Sequence, residues 1–143
     1  MSMDTQNDTR VGDLPLVAGE DLSGKEGMIA KITNAAGQVL AKLPDDPGDI
    51  AVFVVIEGNV AGKTVNVRPL EQGRNVRLRL SRDVKPGDVL VAADPTDPLL
   101  RGMVTPLTGA PGTYRGIAIA EEYGDIGQLV LARPVAIGEI VVV

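Results

Sequence analysis

The 143-residue chain contains no cysteine, no histidine and no tryptophan. Without cysteine there is no disulfide and no thiol nucleophile. Without histidine there is no imidazole base and no Ser-His-Asp triad, and the two absences together exclude a Cys/His zinc cage. The three serines, Ser2, Ser23 and Ser81, have no lysine at a spacing that could activate them. The aromatic side chains are Phe53, Tyr114 and Tyr123, too few for a base-stacking platform, and the formal charge of −5 repels phosphate backbones. No apolar run reaches the roughly 18 residues of a membrane helix. Met1 to Arg10 holds no apolar core of a leader peptide. The expectation is a non-enzymatic protein with no cofactor, no metal site, and neither nucleic acid nor membrane as partner.

What the chain has is β-branched and turn-forming residues. Valine occurs 19 times, isoleucine 9 and leucine 14, alongside 17 glycines and 10 prolines. Such residues fit pleated, half-buried strands separated by tight turns. Met28 to Thr33 and Gln38 to Leu43 flank a hairpin-sized loop ending in Gly37. Ala51 to Glu57 is continuously apolar, as a strand buried on both faces requires. Asn75 to Ser81 alternates, with Val76, Leu78 and Leu80 on one face and Arg77 and Arg79 on the other. Thr64–Val67, Asp88–Ala92, Met103–Leu107, Arg115–Ala120 and Gln128–Ala132 continue the pattern. The best helical candidate, Asp94 to Arg101, contains Pro95 and Pro98 and can form one irregular turn at most. The expected fold is all-β, a small barrel or sandwich with long loops. A Gly-acid-aliphatic phrase at Gly48, Gly87 and Gly138 reads as one turn solution, used each time before a strand.

The chemistry-bearing motifs fall short of sites. Gly58 to Thr64 resembles a phosphate-binding loop but has one residue too few before Gly62-Lys63, and it runs into a strand rather than a helix. The acidic groups Asp45-Asp46, Glu121-Glu122 and Asp94/Asp97 lack the donor count of a calcium loop and read as surface acids. Arg74, Arg77, Arg79 and Arg82 form the one cationic cluster. It fits either an acidic partner surface or a solvated strand face that discourages edge pairing.

The two ends carry apolar residues. Residues 1–20 are expected to be a flexible arm, with the extended patch Asp13, Leu14, Pro15, Leu16, Val17 free to order on a partner, and residues 21–143 to be the β-rich domain. Val135 to Val143 ends the chain on apolar β-formers in need of a neighbour.

Several phrases carry a likeness: Gly24-Lys25-Glu26-Gly27, Pro69 to Arg77, Val84 to Val91, Gly112 to Glu122, and Gly127 to Pro134. Over about four-fifths of its length the chain resembles the head-decoration (cement) proteins encoded beside the major capsid protein of tailed bacteriophages. The resemblance implies a β-barrel or β-tulip fold, usually trimeric, and a virion protein made in the host cytoplasm. Such a protein sits on the outside of the mature capsid, with the major capsid protein and its own copies as partners. On that reading Asp13, Leu14, Pro15, Leu16 and Val17 contact the capsid, and Arg74, Arg77, Arg79, Val141, Val142 and Val143 contact neighbouring subunits. The alternative is a β-barrel accessory or carbohydrate-binding module of an enzyme or of a phage fibre or tail.

Overall fold

The structure, a computed structural model, describes residues 12–143. Ten strands occur in order: β1 Leu14–Ala18, β2 Ile29–Ala35, β3 Gln38–Lys42, β4 Phe53–Glu57, β5 Thr64–Pro69, β6 Val76–Arg79, β7 Val89–Ala92, β8 Val104–Pro106, β9 Gly112–Ala120 and β10 Leu129–Val142. The described residues contain no helix, so the all-β expectation holds. The first five strands close a barrel in the order β1-β3-β2-β4-β5, and the last five form a sheet in the order β6-β10-β9-β7-β8. A parallel bridge between Leu80 and Val104 draws β6 towards β8, so the second sheet curls towards the same closure.

The two halves share one plan, residue by residue. β1 pairs antiparallel with β5 through Leu14↔Val67 to Val17↔Thr64, and β6 pairs with β10 through Val76↔Ala132 to Arg79↔Leu129. The pairs Phe53↔Pro69, Val54↔Arg68 and Val55↔Val67 recur as Ala118↔Pro134, Ile119↔Arg133 and Ala120↔Ala132. The link from Gly19 N–H to Ala41 C=O (2.9 Å) recurs from Ser81 to Val104 (2.9 Å), and that from Gly62 to Ala18 (2.9 Å) recurs from Gly127 to Leu80 (2.8 Å). A four-residue turn with glycine third precedes β2, β5, β7, β8 and β10. In each, the fourth N–H donates to the first C=O, and Gly27, Gly62, Gly87, Gly102 and Gly127 have φ between +83° and +90°. This is a type II turn, whose third position needs φ > 0. Of the three glycine phrases read from the sequence, Gly87 alone fits it. Gly48 lacks a positive φ, and Gly138 lies inside β10 at its register shift rather than before a strand.

The alternation of each strand sorts its side chains into two cores. Leu14, Leu16, Phe53, Val65 and Val67 face the barrel interior with Leu22, Met28 and Leu43. Val54 and Ile29 turn the other way and join Val76, Leu78, Leu80, Leu90 and Val130 in the core shared with the second half. β4 is therefore a wall between two cores, which accounts for its unbroken apolar run.

The expected arm is corrected here. Residues 1–11 lie outside the described residues. From Leu14 onwards, however, the chain is a barrel strand, so the barrel begins well before Met28. Leu14 and Leu16 sit on the inward face at the spacing of two that strands impose. β1 meets β3 only at Val17 and Ala18. Beside Pro15, therefore, the β3 side has no ladder for its missing N–H to break. The chain's other end is also not bare: Val141 and Val142 pair with Thr113 and Gly112 of β9.

Candidate interaction surface

Of the five residues read as capsid contacts, Leu14 and Leu16 are committed to the barrel core. Asp13 is committed to Arg68, which reaches it through Nε (2.7 Å) and Nη2 (3.2 Å). The Arg68 guanidinium holds the Asp13 carboxyl below the usual carboxylate range. Pro15 and Val17 face outwards, over a shallow groove shared with Val39 and Thr64. Leu14 and Leu16, half-buried, line the same groove.

Of the arginines read as subunit contacts, Arg77 and Arg79 form a strand face with bonds of its own. Arg77 bonds Glu122 at 2.7 Å, and Glu122 also accepts the Leu131 N–H at 3.0 Å. The Leu131 N–H, then Arg77, lower the Glu122 pKa. Arg79 donates to the carbonyls of Gly127 and Glu26. Arg74 is exposed, in the turn before β6. Val141, Val142 and Val143 do not join this face. β6 meets β10 only as far as Ala132, nine residues before Val141, roughly 30 Å of extended strand. The guessed interface is two separate places.

The surface acids are structural. Asp49 bonds Lys31 Nζ at 2.7 Å and accepts the N–H groups of Asp45 and Asp46. Burial pushes its carboxyl up, but these bonds outweigh it and hold the pKa down at about 2. Glu121 pairs with Arg133 at 3.3 Å. No group of three or more acids that could hold a metal ion occurs among the described residues. A cleft of about 280 Å³ beside Tyr114 and Arg115 is lined by Asp46, Asp49 and Asp94. All three already serve their own turns, Asp46 through the Gly48 N–H and Asp94 through the Thr96 N–H and hydroxyl.

An apolar groove lies where the two halves meet. Ile50, Ala51, Val52, Leu70 and Gln72 of the first half face Arg115 to Ile117 and Pro134 to Gly138 of the second across a groove of about 430 Å³. Ile50 is 61% exposed, Val52 47% and Ile137 37%. Arg115 Nε is buried with no hydrogen-bond partner among the described residues. Sequence reasoning missed this groove because it places Ile50 and Val52 in or beside a buried strand. The signal was the turn at Pro47-Gly48, which lets the chain enter β4 late, at Phe53.

The fold class is thus a tandem pair of five-stranded β units around a shared core. No protein-family model and no curated protein matches the chain. Among solved structures, it shares its fold with the base of the head fibre protein gp8.5 of bacteriophage phi29. The TM-score is 0.59 at 15% identity, over 86% of this chain and 92% of that one.

Proposed function

We propose that the chain is a non-enzymatic structural protein of a phage virion that binds the outside of the mature capsid as a homotrimer and stabilises it. The observation that carries this reading is the fold shared with a phage head fibre base across nearly the whole of both chains. It is supported by the turn and ladder roles of Asp46, Asp49, Asp94, Glu121 and Glu122, which are held by bonds within the fold. The resemblance of its turn-and-strand phrases to head-decoration proteins points the same way. A protein that binds only the mature lattice stabilises it by mass action, and weak contacts repeated over a shell add by avidity.

The groups that meet the capsid are those the barrel leaves outward, Pro15 and Val17 with Val39, rather than Leu14 and Leu16. The test compares mature and precursor capsids in a co-sedimentation assay. It then follows genome release on heating or on chelation of Mg²⁺, with and without the protein. Selective binding to mature capsids and a higher release temperature are expected. Identical release curves overturn the stabilising role, and absence of binding overturns the capsid reading altogether.

A further inference from the structure

We propose that the tip of the β9–β10 ribbon of one copy seats in the junction groove of a second copy. Glu139 would lie on Arg115, with Val141 and Val143 against Ile50, Val52 and Ile137. The inference rests on the reading that the chain works as a homo-oligomer, and it names the two surfaces that meet.

The ribbon is surplus to the plan that the two halves share. In the first half the β4–β5 ladder ends at Phe53↔Pro69. In the second half the equivalent ladder passes Ala118↔Pro134, shifts register, and resumes from Gly138↔Gly116 to Val142↔Gly112. β7 reaches as far as Gly116 and β6 only Ala132, so the pairs beyond Gly138↔Gly116 have no third strand beside them.

Its exposed face matches the groove in kind. Successive residues of a strand alternate, so Glu139, Val141 and Val143 share one face at about 7 Å spacing. Val141 is 63% exposed and Val143 fully so. The face therefore offers one carboxylate followed by two aliphatic side chains. The groove offers Ile50, Val52, Leu70 and Ile137 with a single cation, Arg115. Glu139 stands opposite Arg115 on its own ribbon, yet the two form no ion pair. A copy cannot fill its own groove, because Arg115 to Ile117 and Pro134 to Gly138 are the base of the ribbon and its tip runs away from them. The occupant comes from another molecule. A second copy brings the complement in charge and in apolar spacing.

The test uses native mass spectrometry and light scattering on the full chain, with circular-dichroism melts to confirm that each variant is folded. Wild type is expected to associate. V141D on the ribbon and I50D in the groove are each expected to raise the dissociation constant about tenfold or more. R115E and E139R are each expected to dissociate, since like charges then meet. Their equimolar mixture is expected to form mixed dimers, because the arginine introduced on the ribbon of one variant then meets the glutamate introduced in the groove of the other, whereas a ring of three cannot alternate two variants. Rescue by mixing cannot arise within one chain. A folded mixture that stays monomeric overturns the proposal, as does an oligomer indifferent to both V141D and I50D. An oligomer that survives these substitutions leaves homo-oligomerisation standing with another interface, whereas a monomeric wild type overturns both readings.

Discussion

Arg101 grips Glu20 through two parallel bonds, Nη1 to Oε1 at 3.0 Å and Nη2 to Oε2 at 2.9 Å. The same guanidinium donates to the carbonyls of Leu43 and Pro44, and Glu20 accepts the Leu43 N–H. Arg101 lies in the turn that opens β8, whereas Glu20, Leu43 and Pro44 follow β1 and β3. One side chain thus ties the second half to two loops of the first.

Replacing Arg101 removes charge-assisted bonds that are each worth about 1.5–3 kcal/mol when shielded and less when partly exposed, as here. R101A is expected to lower stability by about 2 kcal/mol in denaturant titrations. R101K is expected to lose most of the same amount, since an ammonium cannot reproduce the planar fork. Wild-type stability in R101K would show that charge alone suffices.

Acid should act through Asp49. Its folded pKa, about 2, lies below the ordinary value of 3.8. A depressed carboxyl stabilises the fold fully above its unfolded pKa, and this contribution is lost as pH falls through the folded one. Thermal melts should therefore show a decline in melting temperature between pH 4 and pH 2. In D49N that decline should be shallower, from a lower starting point at neutral pH. Parallel curves for the two proteins would exclude Asp49 as the source.

Deleting the chain up to Gly19 removes a closing strand. It takes the half-buried Leu14 and Leu16 out of the barrel core, at about 1 kcal/mol or more each, and leaves β5 with an open edge. The expected result is loss of the cooperative melt by circular dichroism. An unchanged melting temperature would mean that β1 is dispensable to the fold.

Three single substitutions probe the backbone, one in each direction and one as a control. Ala36 has φ +49° beside Gly37 at +80°, the arrangement of a type I′ hairpin turn, which favours asparagine first. A36N is expected to gain about 0.5–1 kcal/mol, part of the left-handed cost to an ordinary residue. At Gly58 a Cβ would lie 1.9 Å from the Leu22 carbonyl oxygen. G58A is expected to destabilise by about 3 kcal/mol, and G73A, with open space around it, to be neutral. Denaturant midpoints decide all three.

The strands were largely legible because their signals are local. Alternation over Val76 to Leu80 and the two-residue turn between β2 and β3 depend on neighbours in the chain. β1 was not legible. Its five residues include Pro15, and its partner β5 lies fifty residues on, so nothing nearby distinguishes a barrel strand from a loose apolar patch. The repeated plan did leave a trace. Gly62, Val65, Arg68 and Pro69 recur as Gly127, Val130, Arg133 and Pro134, and Lys25-x-Gly27 recurs as Lys85-x-Gly87. The more visible Gly-acid phrase hid it by joining three unrelated places. The junction groove had no sequence signal beyond its turn, since its walls come from segments that only the pairing of the two halves brings together.

That pairing has an evolutionary consequence. Two identical units docked face to face would carry every substitution twice, so a gain on one side would be forced upon the other. Joined in one polypeptide, the halves drift separately. In this chain the first half closes its barrel with its ladder ending at Pro69, whereas the second holds β6 and β8 together by a single bridge and carries the equivalent ladder to Val142. The difference gives one chain both a two-stranded extension and a groove.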